Sequence, residues 1–112
     1  MKGSTCIYNK LVRDNIPEII KANGGKVKYR VLDDDEEFKK ALKVKLVEEI
    51  DEFLNAKTEK EAIEELADIF TVILFLDAMT GSYVRDVVTE KAREKGYFLN
   101  RVFLESVEED IR

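Results

Sequence analysis

A mainly all-α fold is predicted by three observations. Apolar residues recur at helical spacing over two long stretches, as Phe38, Leu42, Leu46, Ile50 and Phe53 in the first and around an almost wholly apolar run at 69–76 in the second. One Pro and five Gly in 112 residues leave few places where a helix must break. No solenoid-type repeat, low-complexity tract or linker interrupts the pattern, so a single domain over 1–112 is expected.

The elements follow in chain order. Asp14 and Asn15 precede Ile16-Pro17, a helix start, and Asn23-Gly24-Gly25 is a stop, which predicts a short helix over about 16–22. In KVKYRVL, Val27, Tyr29 and Val31 alternate with Lys26, Lys28 and Arg30, as in a half-buried strand. The acidic run DDDEE at 33–37 favours the N-terminus of a helix, where its charge meets the positive end of the dipole. The first long helix is expected over about 36–55, and the turn Ala56-Lys57-Thr58 separates it from the second.

Thr58, with Glu61 three residues on, caps a second helix that runs to about Thr80 and ends at Gly81. Because its 69–76 stretch has no polar side to turn to water, this helix belongs at the centre of a bundle or of a subunit interface. A third pattern, about 83–95, starts after Ser82 and stops at Gly96. The tail alternates Phe98, Asn100, Val102 and Leu104, so a short β-hairpin from about 27–32 and 98–104 is an expected accessory.

Composition excludes several functions. A net charge of -5 with charged residues of both signs offers no basic face for a nucleic acid polymer or an anionic membrane. The apolar run at 69–76 is far shorter than the roughly 20 residues that span a bilayer. The lone Cys6 and the lack of a charged-then-apolar leader favour a cytoplasmic location. Histidine is absent, which removes Ser-His-Asp and Cys-His catalysis, the HExxH site and histidine-containing di-iron bundles. Carboxylates, lysines and arginines must carry any chemistry.

The carboxylates are patterned. Glu49 falls inside the apolar stripe of the first long helix, with Glu48 beside it and Glu52 one turn on. In the second helix Glu65 and Asp68 repeat the i, i+3 spacing in line with Val72 and Met79. If the short turn makes a helical hairpin, the two sets converge, and acids crowded in a partly apolar site must protonate or meet a cation. Oxygen ligands alone suit Mg²⁺, with Mn²⁺ as its substitute, and such an ion commonly serves phosphoryl chemistry. Two readings stand: this metal site, with Glu48 orienting or deprotonating a water, or a solvated acidic face paired with lysines such as Lys43 and Lys45.

EEIDE at 48–52, followed by ELAD at 65–68, resembles the EExxE and ExxD motifs of the MazG-like all-α nucleoside triphosphate pyrophosphohydrolases. YNKLVRDNIPEII resembles the opening of the short stand-alone members, and KAREKGYFLNRVFLE their C-terminal part, so the likeness spans nearly the whole chain. The resemblance implies a MazG-like helical bundle completed as a homodimer or homotetramer. It implies cleavage of a nucleoside triphosphate, ribo or deoxy, between its α and β phosphates, giving a monophosphate and pyrophosphate in nucleotide-pool house-cleaning. Glu49, Glu52, Glu65 and Asp68 match the expected Mg²⁺ ligands, and Glu48 the additional motif acid, a catalytic role.

Lys10 and Arg13 match charged positions of the N-terminal block, where phosphate contact and a structural ion pair are both open. Lys91 shares a face with Val84, Val87 and Val88 and either reaches a phosphate or snorkels to water. Asn100 and Arg101 are further candidates for substrate binding, after Lys10, Arg13 and Lys91. Asn15, where a lysine is common, and Gly96-Tyr97-Phe98, where a Gly-Gly-Phe-like turn is common, depart from the family pattern and leave base choice open. Alternatives are phosphoribosyl-ATP pyrophosphohydrolase, with related chemistry, and a non-catalytic helical dimerisation module.

Overall fold

The computed structural model of the chain describes residues 3–108. Four helices, α1 (Ile16–Ala22), α2 (Asp35–Leu54), α3 (Glu59–Met79) and α4 (Val84–Lys95), make up its regular structure, and no strand occurs among the described residues. The fold is mainly all-α. Each helix lies within one residue of its predicted bounds at either end, because the signals that mark those bounds, side-chain caps at Asp34 and Thr58, Pro17 in α1 and the glycines after α1, α3 and α4, are local. The chain divides into two compact units, Met1–Gly81 and Ser82–Arg112.

In the first unit, residues 3–15 run without regular structure into α1, which Pro17 opens and Gly24, at φ +89°, closes. At the head of α2 the Asp34 side chain accepts from the Glu37 amide at 3.3 Å, and Asp35, Glu36 and Glu37 fill the first turn. The run DDDEE is therefore a helix start, as its charge demands. Residues 27–32 carry no strand ladder: a strand alone leaves its backbone groups unpaired, and alternation in sequence does not supply a neighbour. Arg30 in this segment instead pairs with Glu37 of α2.

α2 and α3 pack on each other along their length, about 30 Å for helices of 20 and 21 residues. The start of α3 is held twice: Thr58 Oγ1 accepts from the Glu61 amide at 3.1 Å, and the Glu61 carboxylate accepts from the Lys57 amide at 3.0 Å. This is a capping box displaced by one residue. At the other end Gly81, at φ +92°, takes the left-handed conformation that ends α3.

The covered seam of this hairpin is narrow. Leu42 and Val72 are its buried apolar side chains, and the buried charged ones are Glu49 and Asp77. The Thr80 hydroxyl donates to the Asp77 carbonyl at 2.7 Å. Away from the seam, apolar side chains face outward: Val47 is 69% exposed, Ile63 60% and Phe70 63%. Among the described residues, the all-round apolar character of 69–76 is thus covered on only one side.

The second unit consists of α4 and residues 96–108, which have no regular structure. Gly96, at φ +79°, ends α4, and its amide donates to the Ala92 carbonyl at 2.8 Å. Residues 98–104 form no strand, and Phe98 and Phe103 are exposed. No helix among the described residues is long and apolar enough to cross a membrane.

Thr58 is the cap on which the entry to α3 depends. Thr58→Ala should lower the unfolding free energy by about 1 kcal/mol, measured by urea denaturation followed by circular dichroism, with Thr58→Ser retaining nearly all of it.

Candidate metal centre

Five acids are delivered to one place by the hairpin. Glu48, Glu49 and Glu52 lie in the last two turns of α2, and Glu65 and Asp68 in the second and third turns of α3. Because the connection between the helices spans only 55–58, the end of one must lie beside the beginning of the other. One carboxylate oxygen from each of Glu49, Glu65 and Asp68 lies within 4.8 Å of the others. Glu49 is 4% exposed, whereas Glu65 and Asp68 are half-buried.

The acids differ in what else they meet. Glu49 Oε1 receives the Lys45 ammonium at 3.1 Å, and Glu49 Oε2 is buried with no hydrogen-bond partner. Glu65 Oε2 is buried and unpartnered in the same way. Arg13 donates to Asp68 Oδ1 at 2.7 Å and to the Thr71 hydroxyl at 3.3 Å, and that hydroxyl donates to the Ala67 carbonyl at 2.9 Å. Glu48 is held from both sides, by Lys10 at 3.0 Å and Lys45 at 3.6 Å. Lys10 also stands over the Tyr8 ring, 5.6 Å from its centre.

Crowding sets the protonation of the group. The Glu65 carboxyl is pushed up to about 7, first by the neighbouring Glu49 carboxylate and then by that of Glu52, with loss of water adding to it. Glu52 is thereby a member of the cluster through Glu65, although it is exposed and outside the closest trio. The Lys10 ammonium is held above its usual range chiefly by its hydrogen bond to Glu48, against the opposing effect of lost water. Acids so crowded are relieved either by a proton or by a cation.

The donor set is all oxygen, it includes two orphaned buried oxygens, and it lacks the nitrogen or sulfur that softer metals prefer. Glu49, Glu65 and Asp68 fit a hard divalent ion, with Glu52 adjacent. Such an ion would replace the proton on Glu65 and give the two unpartnered oxygens a ligand.

Of the positions singled out in the sequence, Glu48, Glu49, Glu52, Glu65, Asp68, Lys10 and Arg13 come together in the first unit. Lys10 and Arg13 make ion pairs with the acids. Lys91, Asn100 and Arg101 belong to the second unit and are exposed. Arg101 adopts φ +53°, its amide donating to the Phe98 carbonyl at 3.2 Å. Lys45 was legible only as a lysine near a solvated acidic face, yet its side chain is 17% exposed and it binds two of the acids. Its signal is spacing, since a lysine at i meets acids at i+3 and i+4 on one helix face.

No family model, curated protein or solved structure matches the chain. The case for a metal centre therefore rests on the geometry and chemistry of these side chains.

The raised Glu65 has a signed consequence. The folded chain keeps the proton at pH values where the unfolded chain, with an ordinary glutamate near 4.5, has lost it. Stability attributable to Glu65 is full below about pH 4.5 and is lost as pH rises through about 7. In chelator, the melting temperature of wild type relative to Glu65→Gln should fall across that window. Added Mg²⁺ should raise the melting temperature more at about pH 8 than at about pH 5, because metal and proton compete for one place.

Proposed function

We propose that the chain is a Mg²⁺-dependent nucleotide pyrophosphohydrolase of the MazG-like kind, cleaving a nucleoside triphosphate, ribo or deoxy, into a monophosphate and pyrophosphate. The observation that carries this reading is that Glu49 and Glu65, which each keep a buried, unpartnered oxygen, bring a carboxylate oxygen within 4.8 Å of each other and of one from Asp68, with cations already at hand. A solvated acidic face would leave those oxygens in water. The order and spacing of EEIDE and ELAD support the same reading.

Glu49, Glu65 and Asp68, with Glu52, would hold the ion. Bound there, Mg²⁺ supplies charge neutralisation at the phosphate oxygens and makes water more acidic. The chain's own groups do the rest. Glu48 accepts a proton from the attacking water, and each of its oxygens keeps a lone pair beside the lysine it already receives. As the water oxygen bonds to phosphorus, the bridging P–O bond between the α and β phosphates breaks and the bridging oxygen leaves with one product. Lys10 and Arg13 lie at the rim of the acids, and their donors in excess of the present ion pairs are available to phosphate oxygens.

A second copy of the chain completes the bundle in this proposal, as homodimer or homotetramer. Its support is the outward apolar surface of the hairpin, Val47, Ile63 and Phe70 among it, which water does not favour and a narrow seam does not cover. The same surface is the one observation favouring the rival, a non-catalytic dimerisation module. House-cleaning of the cytoplasmic nucleotide pool is the role that fits the chemistry, and phosphoribosyl-ATP pyrophosphohydrolase is the neighbouring alternative.

Pyrophosphate release from a panel of canonical, deoxy and damaged triphosphates, and from phosphoribosyl-ATP, tests the reading. Turnover should require Mg²⁺ or Mn²⁺ and fall by at least about 100-fold in Glu49→Gln and in Asp68→Asn without loss of helicity. Preference for phosphoribosyl-ATP over every triphosphate would move the assignment to the neighbour. Lack of turnover of any substrate, with no effect of Mg²⁺ on melting, would leave the dimerisation module. For the assembly, light scattering after gel filtration should give a multiple of the chain mass, reduced by Phe70→Glu.

A further inference from the structure

Lys45 has no place in the chemistry above, yet it is the most enclosed cation of the cluster, its side chain 17% exposed against 36% for Lys10 and 58% for Arg13. Its ammonium lies between neighbouring glutamates, 3.1 Å from Glu49 Oε1 and 3.6 Å from Glu48 Oε2. Glu49 therefore has two faces. One oxygen meets Lys45, the other is buried and unpartnered, and the carboxylate brings an oxygen within 4.8 Å of those of Glu65 and Asp68.

This is how a carboxylate bridges two metals in a dinuclear site, one oxygen to each, with the metals roughly 3.5–4 Å apart. Here an ammonium takes one of the two positions. Glu48, which a second metal would need, has its remaining oxygen on Lys10 at 3.0 Å. A second divalent ion would have to displace Lys45 and leave a mostly enclosed ammonium without its carboxylates, which is strongly unfavourable.

We infer that Lys45 is a built-in counter-cation occupying the place of a second metal between Glu48 and Glu49, so that each chain holds a single divalent ion, among Glu49, Glu65 and Asp68. The inference rests on the metal-centre reading and goes beyond it by assigning the stoichiometry and the residue that sets it. Lys45 is thus a positioning residue: through its ion pair it fixes the Glu49 carboxylate beside Glu65 and Asp68, where the ion would be held.

The experiment is a Mn²⁺ titration of the chelator-stripped full chain by calorimetry, with electron paramagnetic resonance of the loaded protein. Wild type should bind one Mn²⁺ per chain with the signal of an isolated ion. Lys45→Met should gain a second ion and the spin-coupled pattern of a Mn²⁺ pair, and Lys45→Arg should return to one. Two tightly bound ions in wild type would overturn this inference and leave the metal centre standing, whereas no ion in wild type would overturn both. One ion in both wild type and a folded Lys45→Met would show that Lys45 does not set the count. Should Lys45→Met lose its helicity, Lys45→Gln is read the same way, and the wild-type count remains decisive.

Discussion

A carboxylate 4% exposed, with two further acids within 4.8 Å, is the constraint to which the rest of the first unit responds. Removing an ion from water costs several kcal/mol unless charge or hydrogen bonds replace the water, and acids packed together add repulsion to that cost. The chain answers at every side. Lys45 neutralises Glu49 from within the same helix, Arg13 reaches Asp68 from the N-terminal segment, Lys10 takes Glu48, and Glu65 keeps a proton to about pH 7. What remains unanswered is a pair of oxygens, Oε2 of Glu49 and Oε2 of Glu65.

The same constraint explains how residues 3–15 are placed without any helix or strand of their own. Their polar contacts to the helices include Lys10 to Glu48 on α2 and Arg13 to Asp68 and Thr71 on α3, so the segment is tied to both walls of the hairpin through the acids. Exposed ion pairs are ordinarily weak, because water screens them and long side chains lose freedom. These are aimed at a group of like charges, so each added cation relieves repulsion as well as forming a pair.

Most of this architecture was legible in the sequence because its determinants are local. Asp34 and Thr58 mark helix starts through side chains that reach three residues on, and Gly81 and Gly96 mark ends through backbone conformations that other residues resist. The convergence of Glu49, Glu65 and Asp68 followed from helical phase and a short turn. The alternation at 27–32 comes without a strand ladder in the first unit, since a strand is defined by its neighbour and alternation is only a surface pattern. Lys45 was undervalued for a related reason: spacing places it beside Glu48 and Glu49, but only packing decides whether such a pair faces water or is enclosed.

The five acids span residues 48–68, and the connection inside that span is the short turn at 55–58. Bringing them together requires closing one small loop between two helices that each carry their own cap. The entropy of closing so short a loop is low, and contacts so near in sequence form early in folding. The cluster is therefore a product of the hairpin itself, so changes elsewhere along the polypeptide can alter what surrounds the acids while leaving their convergence to be rebuilt by the same twenty or so residues.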